Sequence, residues 1–134
     1  MLHQLRRRAL VGTGAIALGL TTCFTAAAGP ASATGDDGVR TSGACIHGGH
    51  LKLKAKHDDG RIEVEFEVDS NRAGQNWTVR IRDDGALVVA RHARTAGRSG
   101  SFSVEKKIAN RPGPDKIRAR ATFKNRTCTG TVVV

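Results

Sequence analysis

Residues 51–69, LKLKAKHDDGRIEVEFEVD, carry the clearest structural pattern of this chain. Apolar and charged side chains alternate on both sides of Asp59-Gly60, which is the pattern of two half-buried strands around a two-residue hairpin turn. In this register Leu53 faces Phe66, whereas a slip of one residue would set apolar side chains against charges at every pair. The charged pairs on the other face are Lys52 with Glu67, Lys54 with Glu65, and Lys56 with Glu63. The stretch therefore predicts a β-hairpin.

The period of two continues along the rest of the chain, and a second Asp-Gly turn occurs at Asp84-Gly85. The predicted strands are residues 51–56, 62–69, 77–82, 87–92, 102–104, 117–123 and 128–134. No stretch has the 3.6-residue period of a helix. Seven short strands with regularly spaced turns predict an all-β, seven-stranded antiparallel sandwich of the immunoglobulin-like or fibronectin-III-like class.

The N-terminal residues carry the features of a secretory signal. Arg6, Arg7 and Arg8 precede an apolar run over residues 9–20, and Ala31-Ser32-Ala33 offers a cleavage site. We predict a signal peptide over residues 1–33, a flexible leader over residues 34–43 and the sandwich domain over residues 44–134. The three arginines leave the twin-arginine export route open beside the general one.

The localisation predicted from this signal is extracellular, with one alternative. Leu20 lies three residues before Cys23, so processing as a lipoprotein at Cys23 would produce a lipid-anchored protein instead. The apolar run is shorter than the roughly 20 residues of a membrane span. We therefore expect no membrane span once the signal is removed.

The remaining two cysteines predict one disulfide bond. Cys23 lies in the predicted signal, which leaves Cys45 and Cys128 as an even pair in an oxidising compartment. If the seven strands run alternately up and down, the first and the last run in the same direction. The two cysteines then lie at the same end of the sandwich and can form a bond.

Two parts of the sequence, together with the signal, carry a resemblance. These are residues 51–77, which include HDDGRIEVEFEVDSNRAGQNW, and the CTGTV of residues 128–132. They resemble small secreted proteins of actinomycetes, over nearly the whole chain that follows the signal. The resemblance implies export and a single immunoglobulin-like sandwich domain, and it assigns no functional residues.

The residues with catalytic potential form no recognisable constellation. A hydrolase needs a nucleophile with a base, or two carboxylates in a cleft, but this chain offers His92, scattered serines and carboxylates that lie in turns or opposite lysines. The group Cys45, His47 and His50 lacks a complete ligand set for zinc, since the disulfide would occupy Cys45. We therefore expect no enzymatic activity, no cofactor and no metal site.

Carbohydrate binding by ring stacking is also disfavoured. The chain has one Trp, four Phe and no Tyr. Trp77, Phe66, Phe102 and Phe123 all fall on predicted core positions of their strands. No exposed aromatic platform is therefore expected.

The net charge is strongly basic. The chain has 22 Lys and Arg against 12 Asp and Glu, and removing residues 1–33 takes away only three arginines. A basic excess of this size favours association with polyanions, although no specific nucleic-acid motif occurs.

The basic excess is predicted to be one-sided. In a sandwich of this class the third, fourth, sixth and seventh strands share a sheet, with the third beside the sixth. Its outer face is predicted to carry Leu87 and Val89 at its margin and six basic residues with no carboxylate among them. The six residues are Arg80, Arg82, Arg91, Lys116, Arg118 and Arg120.

Two hypotheses for function follow from this face. The first is a monomeric, non-enzymatic module that binds an anionic polymer or an acidic protein through the arginines. The alternative is a structural or accessory extracellular domain with no ligand of its own.

Overall fold

The computed structural model describes residues 37–134, which form two four-stranded antiparallel sheets. The strands are β1 (Val39–Ala44), β2 (His50–Asp58), β3 (Arg61–Asp69), β4 (Asn76–Asp83), β5 (Ala86–Arg94), β6 (Ser101–Ala109), β7 (Lys116–Phe123) and β8 (Arg126–Val133). The predicted signal peptide, Cys23 and the first residues of the predicted leader lie outside the described residues. No helix that could cross a membrane occurs within residues 37–134.

The hairpin predicted from residues 51–69 forms in the predicted register. In the β2–β3 pair Leu53 is opposite Phe66, and the Lys and Glu side chains meet on the other face. Asp59 and Gly60 have φ angles of 48° and 71°. Two successive positive φ values are those of a type I′ turn, whose twist matches that of the flanking strands.

The all-β sandwich is confirmed, with eight strands instead of seven. One sheet has the order β1-β2-β3-β6 and the other has the order β5-β4-β7-β8. The third and sixth predicted strands, β4 and β7, are neighbours as expected, and they occupy the centre of their sheet. Side chains on their outer face therefore have a strand on both sides.

The predicted leader over residues 34–43 was wrong where it overlaps β1. Val39–Ala44 pairs with β2 along its whole length, from Val39 opposite Ala55 to Ala44 opposite His50. Gly38, with a φ of 72°, allows the chain to enter this strand, since a Cβ there would clash with the Ala55 carbonyl oxygen. β1 thus covers the edge of β2 and adds the eighth strand.

Inward-facing side chains of both sheets form one core. Trp77 and Phe66 are completely buried, and Phe102 is nearly so. The Trp77 ring lies 6.2 Å from that of Phe102 and 5.6 Å from that of the half-buried Phe123, measured between centroids. The Trp77 indole N–H donates to Gln75 Oε1 over 3.2 Å, which satisfies its only polar atom.

The predicted disulfide is present. Cys45, in the loop between β1 and β2, is bonded to Cys128 on β8, and 83 positions separate them along the chain. Ile46 exchanges backbone hydrogen bonds with Thr127 beside this bond. The disulfide therefore ties one sheet to the other near the end of the sandwich.

Candidate anion-binding face

The outer surface of the β5-β4-β7-β8 sheet is the candidate site. β4 and β7 run antiparallel, so that Arg80 lies directly opposite Arg120 and Arg82 directly opposite Arg118. All four side chains are exposed. We call these four arginines the Arg face.

An open depression of about 390 Å³ lies over the Arg face. Its lining consists of Thr78, Arg80, Arg82, Arg118, Arg120 and Thr122. Thr78 and Thr122 are themselves an opposite pair, so a hydroxyl row borders the two arginine rows. The depression therefore offers hydrogen-bond donors along its length.

The arrangement follows from strand alternation. On β4 the inward positions Val79 and Ile81 are completely buried, and on β7 so are Ala119 and Ala121. Burial of these positions forces the intervening arginines outward. Since two opposite residues on neighbouring strands have Cβ atoms only about 4.5–5.5 Å apart, each pair sets two positive charges close together.

Carboxylates do not neutralise the Arg face within residues 37–134. The four salt bridges of that region involve Lys52, Lys56, Lys107 and Arg111. The Arg82 guanidinium donates to the Gly85 carbonyl oxygen over 2.9 Å, which fixes its direction without removing its charge. The positive charge of the face is thus available to a partner.

Lys116 extends the Arg face at one end. It is exposed and lies on the same side of β7 as Arg118 and Arg120. On the β8 side, Thr129 is opposite Arg120 and Thr131 is opposite Arg118. This threonine row was not singled out from the sequence, although its alternation with Cys128, Gly130 and Val132 places it on the outer side.

The prediction for Arg91 was wrong. A bulge in the β4–β5 pair makes Arg82 face Leu87 while Ile81 faces Val89, so that Val88 is an extra residue. The bulge reverses the alternation beyond it and places Arg91 opposite Val79, on the inner side of the sheet. Arg91 is exposed there only because β5 is an edge strand. It lines a separate depression with Glu105 and Lys106 of β6.

Because of the same bulge, the prediction that Leu87 and Val89 form an apolar margin was only half right. Leu87 is exposed on the outer side as expected, but Val89 is buried in the core. Beyond the bulge, Ala90, His92 and Arg94 also lie on the outer side, opposite Arg80, Thr78 and Asn76, and Arg94 is a further exposed basic residue there. His92 Nδ1 lies 3.4 Å from the Thr78 hydroxyl, so an imidazole joins the border of the Arg face.

The outer face of the other sheet is nearly neutral, as predicted. Lys52 and Lys56 pair with Glu67 and Glu63 at 3.5 and 3.7 Å. The register also sets Lys54 against Glu65. Positive charge is therefore concentrated on one of the two sheets.

The structure also places the cysteine, histidine and aromatic residues that were considered from the sequence. Cys45 is in the disulfide, which removes it as a ligand beside His47 and His50. Trp77, Phe66 and Phe102 are buried, and Phe123 is half-buried and packs against the core.

No protein-family model, curated protein or solved structure matches this chain. The candidate site therefore rests on the geometry of the sheet alone.

Proposed function

We propose that this chain is a secreted, non-enzymatic β-sandwich module that binds an anionic extracellular polymer through the Arg face. The observation that carries the proposal is the two pairs of opposite arginines, Arg80 with Arg120 and Arg82 with Arg118, which form no salt bridge with a carboxylate of residues 37–134. Like charges directly opposite each other destabilise a sheet. A face that keeps two such pairs side by side is best explained by a partner that supplies the negative charge.

The choice of arginine supports this proposal. Five of the six basic groups on the outer face of this sheet are Arg, Arg94 among them, whereas the salt-bridged basic groups of the opposite sheet are Lys. The guanidinium is planar and donates two parallel hydrogen bonds to a phosphate, sulfate or carboxylate, which the compact ammonium of Lys does not do. The face is therefore suited to a regular series of anionic groups.

A polymer is favoured over an acidic protein. Protein interfaces depend on a desolvated centre with aromatic or aliphatic anchors. The exposed large apolar residues near this face, Leu87 and Val133, lie at its margins, and its centre is polar. An open, polar and positively charged surface suits a hydrated polyanion.

Export is supported by two features. The N-terminal segment has the order of a secretory signal, and the Cys45–Cys128 bond is of the kind that persists in oxidising compartments. An extracellular setting would expose the Arg face to envelope polymers and other polyanions.

The test is binding to heparin, as a generic sulfated polymer, across a series of salt concentrations. We expect affinity to fall steeply as salt rises, because binding releases condensed counterions. A variant with Arg80, Arg82, Arg118 and Arg120 all changed to Ser should lose most of the affinity and flatten the salt dependence. Equal binding by this variant would refute the proposal and favour the structural module without a ligand.

A control variant with the same net charge distinguishes binding by the Arg face from binding driven by the overall charge. Its four changes remove basic residues that form no salt bridge and lie elsewhere: Arg40→Ser, Lys54→Ser, Arg98→Ser and Lys106→Ser. We expect this control to bind heparin nearly as the unchanged protein does. A loss equal to that of the Arg-face variant would show that net charge alone drives binding.

A further inference from the structure

Two acids are buried at one end of the core. Asp83, the last residue of β4, is 1% exposed, and Asp115, just before β7, is 0% exposed. Oxygens of Asp83, Asp84 and Asp115 all lie within 4.8 Å of one another. Asp84 belongs to the β4–β5 turn and is exposed.

The positions of these acids follow from strand alternation. Asp83 continues the inward series of Val79 and Ile81 on β4, and Asp115 precedes the inward Ile117 by two residues. The backbone holds them in place. Asp115 N–H donates to the Val134 carbonyl oxygen over 2.9 Å, and Asp84 N–H donates to that of Lys116 over 3.0 Å. The cluster therefore sits on well-anchored backbone.

The partners of the two buried carboxylates are incomplete. Arg111 Nε lies 3.8 Å from Asp83 Oδ2, and the Arg111 backbone N–H donates to Asp115 Oδ2 over 3.4 Å. Asp83 Oδ1 and Asp115 Oδ1 are buried and accept no hydrogen bond from residues 37–134. One oxygen of each carboxylate is thus left without a donor.

Such an arrangement is costly unless something positive balances it. Within residues 37–134 the one salt bridge to this cluster of three carboxylates is that of the half-exposed Arg111 side chain with Asp83. Buried carboxylates in proteins are compensated by a paired charge, a metal ion or a shared proton.

We propose that Asp83, Asp84 and Asp115 form a calcium site at this end of the sandwich. The donors are all carboxylate oxygens, which suit a hard cation, whereas zinc sites are dominated by nitrogen and sulfur. Calcium tolerates irregular geometry and mixed carboxylate and water ligands better than magnesium does. The exposed Asp84 gives the ion a route from solvent. Binding there would fasten the β4–β5 turn to the start of β7.

The test is thermal unfolding of the purified protein in EDTA and in rising Ca²⁺, with isothermal titration of Ca²⁺ to count sites. At ten times Kd, a single site should raise Tm by roughly 6–11 °C. Asp83→Asn and Asp115→Asn should abolish this rise and the titration signal. Asp59→Asn, which removes an acid from the equivalent turn of the β2–β3 hairpin, should retain both.

Several results would overturn the calcium site. These are no heat of binding and no Tm rise at 10 mM Ca²⁺ in the unchanged protein, an equal rise in Asp83→Asn, or a larger rise with Mg²⁺ than with Ca²⁺. If both buried variants fail to fold, Asp84→Asn replaces them, since its exposed side chain can be changed without disturbing the core. It should weaken Ca²⁺ affinity at least several-fold, and unchanged affinity would contradict the proposal.

Discussion

Arg80 and Arg120 lie directly opposite each other on β4 and β7, the two central strands of their sheet, and within residues 37–134 neither forms a salt bridge with a carboxylate. Arg82 and Arg118 repeat the arrangement two residues along each strand. The repulsion within these pairs has a measurable consequence for stability.

Arg80→Thr should stabilise the protein while weakening its binding to heparin. Thr78 and Thr122 show that threonine fits the outer face of these strands, and removing one charge relieves the Arg80–Arg120 pair by about 0.2–1 kcal/mol. The gain should shrink in 1 M salt, where the charges are screened. Urea unfolding at low and high salt measures it. Loss of stability at low salt would show that the arginines do not repel each other appreciably.

The disulfide should contribute a large share of the stability. In the chain-entropy model, a bond between residues 83 positions apart stabilises by about 4–5 kcal/mol. The double variant Cys45→Ala with Cys128→Ala should therefore melt roughly 15 °C or more below the unchanged protein. Calorimetry measures this, and a Tm shift within error would show that the bond is dispensable.

Arg126 should stabilise the loops at the disulfide end of the sandwich. Its guanidinium donates to the carbonyl oxygens of Gly48 and Ser70 and to Gln75 Oε1, at 3.2, 3.1 and 3.4 Å. It also lies 5.6 Å from the centroid of the Trp77 ring.

Because an ammonium cannot reproduce this fork of donors, Arg126→Lys should lower the free energy of unfolding by about 1–3 kcal/mol. Arg98→Lys, at an exposed turn, is the control and should leave it unchanged. Urea unfolding compares the two. If Arg126→Lys left the free energy of unfolding unchanged, the three hydrogen bonds would make no net contribution to stability.

The ion pair between Asp58 and Lys107 should make the stability of the protein depend on pH in the acidic range. A hydrogen bond and the positive charge of Lys107 lower the pKa of the Asp58 carboxyl below 3.8. Because the folded pKa is the lower one, the pair stabilises the protein above about pH 3.8 and loses this effect as the pH falls through the lowered value.

Carboxyl resonances of Asp58, followed by NMR from pH 2 to pH 6, measure this pKa. Lys107→Met should raise it to its ordinary range, while Lys106→Met, whose side chain lies on the other side of β6, should leave it low. An Asp58 pKa that does not respond to Lys107→Met would contradict the pair.

The elements that could be predicted from sequence are those in which local pattern and turn chemistry agree. The β2–β3 hairpin combines strict alternation with an Asp-Gly turn, which together allow only one register. The neighbouring positions of β4 and β7 could also be predicted, because strand order is a property of the fold class. The opposite arginine pairs of β4 and β7 could be anticipated for the same reason.

The elements that were missed depend on contacts beyond the local pattern. β1 has one large apolar residue, Val39, among small and polar ones, because it is held mainly by backbone pairing with β2. The bulge at Val88 leaves no composition signal, and it moved Arg91 and Val89 to the other side. The alternation along β4 and β7 is enough to predict that Asp83 and Asp115 lie on the inner side of the sheet. Only the pairing of β4 with β7 brings the two residues close together.

NMR mapping with a short heparin oligosaccharide in 150 mM salt shows whether the Arg face is the binding surface. Backbone and arginine Nε–H resonances of β4 and β7, led by those of Arg80, Arg82, Arg118 and Arg120, should shift with increasing ligand. Those of Lys52, Lys54 and Lys56 on the opposite sheet should stay in place. Shifts spread evenly over both sheets, or absent from β4 and β7, would contradict binding at the Arg face.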